Sequence, residues 1–221
     1  SGVLSSSLAI DKEISKKIFI KNKILTPKYI KFVYKNKKKK KKIKNIIKKK
    51  LGFPVVLKPI NEGSSVNVFI CNKSNLIKFL NKLSHYGEVL IEKFIPGREI
   101  QVAIMGQKIL GAIELKPKRK FYDYEAKYNP KAETEHIIPV QIDNDSLKKV
   151  CSIALNAHKK LKCRGVTRSD FRYYNNKFYL LEINTQPGMT ALSLVPEIAS
   201  YLNIKFINLI EKILEDASIN K

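Results

Sequence analysis

Apolar positions recur along this chain at two spacings, which separate helical segments from extended ones. Spacings of three and four residues predict helices, and alternating or β-branched apolar runs predict strands. The predicted helices span 8–21, 35–50, 74–83, 145–161 and 206–214. The predicted strands span 29–33, 53–59, 66–70, 88–94, 100–104, 108–115, 165–173 and 178–183. This succession of hairpins and helices predicts an α+β chain with mostly antiparallel sheets flanked by helices.

The predicted elements form two groups that meet near residues 93–97, so we expect two sub-domains, 1–94 and 95–221. The first includes the lysine-rich segment 35–50 as a surface element. The second includes a polar and aromatic stretch, 117–136, that has no periodicity. Because irregular stretches of this length inside compact domains are commonly functional, we expect a functional loop there.

Composition limits the class of protein. Hydrophobic residues make up 44% of the 221 residues, as in a globular domain. No apolar run approaches the roughly 18–20 residues of a membrane span. The three cysteines, Cys71, Cys151 and Cys163, lack a CxxC spacing, which favours reduced thiols in the cytoplasm over a disulfide framework or a zinc site. Because the chain begins at Ser1 rather than at methionine, we interpret it as a fragment.

The formal net charge of +24 raises the possibility of nucleic-acid binding. Residues 35–50 alone hold 11 lysines and no acidic residue, which leaves 32 basic against 19 acidic side chains elsewhere. Lysine far outnumbers arginine, whereas nucleic-acid surfaces usually mix arginine with aromatic side chains. A solvated helix docked by an apolar stripe is therefore favoured, with a basic nucleic-acid-binding protein as the alternative. The stripe consists of Ile43, Ile46, Ile47 and Leu51.

Polar side chains interrupt the last two predicted strands at positions two apart. Side chains two apart on a strand share a face, so Arg168 and Asp170 form one polar pair. Glu182 and Asn184 form a second pair. Two carboxylates and an amide oxygen are hard ligands of the kind that Mg²⁺ prefers, and a guanidinium beside them would stabilise a developing anion. We therefore predict a magnesium site next to an oxyanion site, with an exposed salt-bridged hairpin as the alternative.

A shared metal ion would impose a condition on the hairpin between these strands. Asp170 and Glu182 would have to lie opposite each other on one face. A two-residue turn at Asn175–Asn176 would instead place Asp170 opposite Leu181, on the wrong face. A three-residue loop over 175–177 would pair them correctly, so we predict a loop with an odd number of residues or a β-bulge, with an asparagine in the left-handed conformation.

Five blocks of sequence carry a family resemblance. They are 58–59 with 62–66, 90–93, 121–128, 182–190 and 193–196. In this order they resemble the motifs of the D-alanine–D-alanine ligases, which belong to the ATP-grasp fold. The resemblance covers nearly the whole chain and implies an ATP-grasp architecture in which the nucleotide binds between two sub-domains.

The resemblance implies a particular ATP site. Two lysines would contact the phosphates, and a loop of small residues would close over them. A glutamate and the backbone after it would contact the adenine edge, and a second glutamate would hold the ribose hydroxyls. The two lysines are Lys12 and Lys58, and the loop is 62–65, with Glu62 and Ser65 as its binding residues. The adenine edge would be contacted by Glu92 with Lys93 and Ile95, and the ribose hydroxyls by Glu99. Lys127 would contact the γ-phosphate from a loop that excludes water.

The resemblance also implies the catalytic, metal and substrate residues. Asp170, Glu182 and Asn184 would hold two Mg²⁺ or Mn²⁺ ions that bridge the phosphates. Arg168 and the backbone N–H of Gly188 would form the oxyanion site. The implied catalytic residues are Ser64, Lys127, Arg168 and Gly188, and the implied substrate residues are Tyr128, Ser193 and Leu194.

The implied reaction is the ATP-dependent ligation of two D-alanines for peptidoglycan precursors. ATP would phosphorylate the carboxylate of the first D-alanine, the amine of the second would attack the acylphosphate, and the tetrahedral intermediate would expel phosphate. Positioning and charge stabilisation would supply most of the catalysis. The alternative is another ATP-grasp carboxylate–amine ligase or a D-alanine–D-lactate ligase, although tyrosine at position 128 favours the dipeptide product.

The resemblance further implies a cytoplasmic bacterial protein that is a homodimer at full length, with no nucleic-acid or membrane partner. The family's N-terminal domain supplies residues that contact the first D-alanine. We therefore expect this chain by itself to bind ATP but to show weak or no ligase turnover.

Overall fold

Two antiparallel sheets with helices against them make up the described part of the chain, residues 1–35, 37–117 and 134–218 of a computed structural model. The helices are α1 (Val3–Ile10), α2 (Lys12–Lys21), α3 (Lys37–Lys50), α4 (Leu76–Lys82), α5 (Asn144–Lys160), α6 (Leu194–Tyr201) and α7 (Phe206–Asp216). The strands are β1 (Tyr29–Val33), β2 (Val55–Pro59), β3 (Phe69–Cys71), β4 (Glu88–Lys93), β5 (Arg98–Met105), β6 (Lys108–Lys116), β7 (Glu135–Ile137), β8 (Val166–Tyr174) and β9 (Lys177–Asn184). No helix in these ranges is long and apolar enough to cross a membrane.

The first sheet has four strands in the order β1-β4-β2-β3. Its apolar face packs against α3 and α4, where Ile43 and Ile47 of the lysine-rich helix are fully buried. The predicted docking of that helix through an apolar stripe is thereby confirmed. On the other face, alternation along β2 and β4 places Lys58 and Glu92, both buried, toward the second sheet.

The second sheet has five strands in the order β7-β6-β5-β8-β9 and is covered on both faces. One core contains side chains of α1, α2 and α5 together with Ile100, Val102 and Phe171. The other contains α6 and α7 packed on Ala103 and Ile113. This second face continues beyond α6 and α7 into the polar positions of β8 and β9, so the candidate site lies at the edge of a buried core.

The N-terminal helices pack on the second sheet, although they precede the first sheet in sequence. Ala9 of α1 and Phe19 of α2 belong to the same core as Leu180 of β9. The expected division into 1–94 and 95–221 stays a prediction, and this packing favours assigning α1 and α2 to the second unit.

Most predicted elements are present, two of them differ, and two further elements were not predicted. The single helix predicted over 8–21 is two helices, because Asp11 ends α1 and its carboxylate caps α2 by accepting a hydrogen bond from the Ile14 backbone at 2.8 Å. The strand predicted over 66–70 begins only at Phe69, since Ser65 and Asn67 have positive φ angles of 59° and 56°. Helix α6 and strand β7 were not predicted.

The β8–β9 hairpin meets the predicted geometric condition through a bulge. Its turn has two residues, Asn175 and Asn176, both left-handed with φ of 48° and 56°. The register then shifts between Asp170 and Phe171, so that Asp170 faces Glu182. The predicted bulge and left-handed asparagine are confirmed, and the three-residue loop is excluded. The extra residue of the bulge is Leu181, which has no partner in the register.

Candidate active site

A cleft of about 810 Å³, including its open mouth, lies between the two sheets. Its wall comprises β2 and β4 of the first sheet, β5, β8 and β9 of the second, and the segment 93–95 that joins the sheets. The described residues predicted for nucleotide binding all line it: Lys12, Lys58, Glu62, Ser65, Glu92, Lys93, Ile95 and Glu99. The structure therefore brings this predicted set together in one place, while the role of each residue stays a prediction.

Glu92 lies at the floor of the cleft between two lysines. One carboxylate oxygen, Oε1, is 2.9 Å from Lys58 Nζ and 3.1 Å from Lys16 Nζ. Burial opposes the charged form of Glu92, yet the two ammonium groups outweigh burial, so its pKa lies below the ordinary value. Burial lowers the pKa of Lys16 to about 8, against the opposing attraction of Glu92.

Sequence reasoning missed Lys16. It lies one turn after Lys12 on α2, on the face that also buries Phe19, whereas Lys17 and Lys21 of the same helix are exposed. A lysine on the apolar stripe of a short amphipathic helix was the signal that could have revealed it, because lysine is almost never fully buried without a partner.

The predicted metal residues lie side by side on one face of β8 and β9. Asp170 pairs in register with Glu182, and Arg168 with Asn184. The Arg168 guanidinium donates to both oxygens of Asp170, at 2.8 and 3.1 Å, and Asn184 Nδ2 lies 3.3 Å from Asp170 Oδ2. Lys12 Nζ is 3.4 Å from Glu182 Oε2. Each carboxylate therefore already has a cationic side chain against it, Arg168 at Asp170 and Lys12 at Glu182.

The chemistry of this donor set fits magnesium. The described ranges contain no group of three or more Asp, Glu, His or Cys side chains able to share a metal ion. Two carboxylates and one amide oxygen, with coordination completed by phosphate and water, suit Mg²⁺, which usually keeps several waters and is held by few protein groups. Asn184 can present its oxygen instead of its nitrogen by turning its amide.

A second pocket adjoins the cleft and shares Glu182 with it. It is lined by the predicted catalytic and substrate residues that the structure describes: Ser64, Arg168, Gly188, Ser193 and Leu194. The other two, Lys127 and Tyr128, lie outside the described residues, as does the predicted loop 121–128. A polar pocket that opens beside the carboxylates could hold a small substrate next to the phosphates of a nucleotide.

Gly188 allows a close approach in this second pocket. A Cβ atom there would lie 2.7 Å from Ser193 Oγ. That hydroxyl also accepts a hydrogen bond from the Thr190 backbone at 2.9 Å. Any larger residue at position 188 would therefore displace the Ser193 side chain from the pocket.

The 62–65 loop is attached to the cleft at one end. Lys12 Nζ donates a hydrogen bond to the carbonyl oxygen of Glu62. Ser64 and Ser65 have left-handed φ angles of 50° and 59°. Successive left-handed residues are unusual outside glycine and cluster at ligand-binding loops, where backbone N–H groups turn toward an anion.

Leu181 differs from its predicted position. Strict alternation along β9 would place it, like Ile183, on the face opposite Glu182 and Asn184. Because the bulge changes the alternation at this point, Leu181 lines the cleft, while Leu180 and Ile183 lie in the core. Leu181 therefore gives the cleft an apolar wall, although alternation along the strand would have placed this side chain on the other face.

Comparisons with known proteins agree on one family. Residues 18–215 match the family model described as the D-ala D-ala ligase C-terminus. A D-alanine–D-alanine ligase of Pelagibacter ubique (strain HTCC1062) is 67% identical over 221 residues, which cover 100% of this chain and 72% of that protein. The chain belongs to the D-alanine–D-alanine ligase family.

Solved structures of the D-alanine–D-alanine ligase family share this fold. A crystal structure of the Bacillus anthracis D-alanine–D-alanine ligase has a TM-score of 0.84 and 35% identity, covering 98% of this chain and 69% of that one. The same ligase complexed with ATP has a TM-score of 0.81 and 34% identity, covering 98% and 68%. The predicted ATP-grasp architecture of two antiparallel sheets flanked by helices is confirmed.

Proposed function

We propose that this chain supplies the ATP-binding and catalytic part of an enzyme that joins two D-alanines through an acylphosphate. The observation that carries the proposal is the meeting of the nucleotide cleft and the second pocket at Glu182. Family membership supports the substrate, since the Pelagibacter relative is named a D-alanine–D-alanine ligase. The Bacillus anthracis ligase complexed with ATP supports the nucleotide.

In this proposal the cleft orients ATP with its base toward Glu92 and its phosphates toward β8 and β9. Lys12 and Lys58, both nearly fully buried, provide fixed positive charge in a site where water screens poorly. Glu99 would hold the ribose hydroxyls, and it is itself positioned by Arg172 at 2.9 Å. The nucleotide would thus be bound from base to phosphate by residues of both sheets.

Asp170, Glu182 and Asn184 would hold Mg²⁺ or Mn²⁺ ions. When bound, such ions neutralise phosphate charge and orient the transferred phosphoryl group. Before binding, Lys12 and Arg168 lie against the same carboxylates, so the site keeps its charge balanced by protein cations. With nucleotide bound, Lys12 would contact a phosphate instead of Glu182, so this lysine has two alternative partners.

The reacting carboxylate of the first D-alanine would lie in the second pocket. Arg168 and the Gly188 N–H would donate hydrogen bonds to the oxyanion of the tetrahedral intermediate, the point at which charge develops. Ser193 and Leu194, at the start of α6, would hold the carboxylate of the second D-alanine. The amine of the second substrate would attack the acyl carbon and form the C–N bond. The C–O bond to phosphate would then break, and the proton lost by the nitrogen would pass to the departing phosphate or to water.

The remaining features of the proposal come from the family resemblance. They are a homodimeric full-length protein, a cytoplasmic location in a bacterium, and the absence of a nucleic-acid or membrane partner. Sedimentation of the full-length protein tests the first of them: two chains per particle are expected, and a monomer at all concentrations would contradict it.

The proposal predicts phosphate release from ATP that depends on D-alanine. The full-length gene product and this 221-residue chain should be assayed side by side with Mg²⁺, with D-alanine, L-alanine and D-lactate as separate additions. The full-length protein should release phosphate with D-alanine and yield the dipeptide, and this chain should bind ATP. Release that is indifferent to D-alanine in the full-length protein would disprove the proposal.

The bulged residue Leu181 offers a test of the cleft. Leu181→Ala should weaken ATP binding by about tenfold, because an apolar contact of about 1.5 kcal/mol with the bound nucleotide is lost. Its melting temperature should change little, since Leu181 is only half-buried. Calorimetric titration with ATP measures the effect, and Leu214→Ala, at a position 66% exposed on α7, is the matched control. Equal affinities in the two variants would exclude Leu181 from the nucleotide site.

A further inference from the structure

Lys16 is fully buried behind the nucleotide cleft and does not line it. Its ammonium contacts Thr26 Oγ1 at 2.6 Å and the carbonyl oxygen of Pro27 at 3.4 Å. It lies 3.1 Å from Glu92 Oε1 and 5.7 Å from the centre of the Tyr29 ring. Every one of these contacts is with protein, so Lys16 can influence a ligand only through a neighbour.

That neighbour is Glu92. Lys16 and Lys58 both approach the same carboxylate oxygen, Oε1, while the Glu92 side chain also lines the cleft. A carboxylate held through one oxygen keeps the lone pairs of the other for a ligand. Adenine presents an amino group at C6 that donates to such an oxygen, whereas guanine presents at C6 a carbonyl oxygen that a carboxylate repels.

We propose that Lys16 is a positioning residue for nucleobase recognition: it holds Glu92 ionised and oriented so that its second oxygen selects a purine with an amino donor at C6 over one with a carbonyl group there. The inference rests on the proposed function, and it assigns the selection to a residue outside the cleft. Lys58 alone would not suffice, because Lys58 lines the cleft and would also contact phosphate. When Lys58 turns to the nucleotide, Lys16 remains attached to Glu92, Thr26 and Pro27.

The charge balance argues against a purely structural role for Lys16. Lys16, Lys58 and Glu92 form a buried cluster with two positive charges and one negative, and Lys16 is the more deeply buried lysine. Removing one member of a buried ion pair is strongly destabilising when it leaves an uncompensated charge, but Lys58 would still balance Glu92 if an apolar side chain of similar volume replaced Lys16. If Lys16 served only to fill space, the fold would therefore be at least as stable with methionine at this position.

The test compares ligands that do and do not contain a base. Lys16→Met should weaken ATP binding by about tenfold and reduce the preference for ATP over GTP. Binding of inorganic tripolyphosphate should stay within about twofold of the wild type, since its phosphates do not reach Glu92. The melting temperature should not fall. Calorimetric titration of the 221-residue chain gives all three affinities, and Lys21→Met, at an exposed position of the same helix, is the control.

A double-mutant comparison shows whether Lys16 acts through Glu92. Glu92→Gln should weaken ATP binding by itself, and adding Lys16→Met should cause little further loss, because coupled residues are not additive. Full additivity of the two losses would overturn the inference. Lys16→Gln, which keeps a donor without the charge, provides the same comparison if the methionine variant fails to fold.

The outcomes separate the two proposals. If the wild-type chain binds ATP and Lys16→Met binds it equally well, the inference on Lys16 is wrong and the proposed function stands. Equal losses for ATP and tripolyphosphate, or a lowered melting temperature with an unchanged ATP-to-GTP preference, would show a structural role and overturn it. If the wild-type chain binds no ATP, the proposed function itself fails.

Discussion

Replacing Asp170 with asparagine should lower the rate of D-alanine-dependent phosphate release by the full-length protein about a thousandfold. Asn has the same shape but carries no charge, so the metal site would lose one of its two carboxylates. Asp170 is 4% exposed and lies in register with Glu182, which leaves no other acidic side chain on these two strands to replace it. A loss of this size corresponds to about 4 kcal/mol of transition-state stabilisation, as expected for one preorganised charged group in a site with little water.

The reason for the loss can be separated from a folding defect. Titrating Mg²⁺ in the rate assay should show weaker apparent metal binding in Asp170→Asn, in addition to a lower maximal rate. The matched control is Asp145→Asn, at an exposed position in the first turn of α5, which should keep the wild-type rate. If the rate of Asp170→Asn at saturating Mg²⁺ is within about fivefold of the wild-type rate, Asp170 does not bind the metal ion.

The second large effect concerns Gly97, which lies between β4 and β5, where the chain crosses from the first sheet to the second. Its φ is 106°, and a Cβ atom there would lie 2.3 Å from the backbone oxygen of Tyr173. The obstructing atom is backbone of a central strand, so it cannot turn aside as a flexible side chain can. Gly97→Ala should therefore destabilise the fold by about 3 kcal/mol, from an unfavourable φ together with a displaced crossover.

Displacing this crossover should also weaken ATP binding, because Phe94 and Ile95 of the same segment line the nucleotide cleft. Unfolding in urea measures the loss of stability. Gly106→Ala is the matched control: its φ is also positive, at 61°, but no atom lies within 4 Å of the added Cβ. That variant should lose only about 1 kcal/mol. If the two variants differ by less than about 1 kcal/mol, the close approach to Tyr173 has no energetic effect.

The sequence by itself determined the local elements and the residues at the centre of the site. Alternation along two strands was sufficient to place Asp170 and Glu182 on faces that could meet, because strand side chains repeat every two residues. The pairing of Asp170 with Glu182 also required a bulge or a loop with an odd number of residues, and the structure has a bulge at Leu181. The stripe on α3 likewise predicted how the lysine-rich helix docks.

Where the bulge lies was decided by tertiary structure. For Asp170 to lie opposite Glu182, the hairpin needs one extra residue between position 174 and Glu182. An extra residue anywhere in β9 before Glu182 would meet this condition. The cores on the two sides of the second sheet select the position, since Phe178 and Leu180 must face one core while Leu181 and Glu182 face the cleft. This selection depends on helices distant in sequence, so no local pattern contains it.

The same reason explains Lys16 and the N-terminal helices. The apolar stripe of α2 indicates that Lys16 is buried. It does not identify the partner, because Lys16 reaches Glu92 only when α2 packs beside β4. Spacing along one chain reports which side chains share a face. Which faces meet depends on long-range packing. That packing put Lys16 behind the cleft, α1 and α2 on the second sheet, and the cleft beside the second pocket at Glu182.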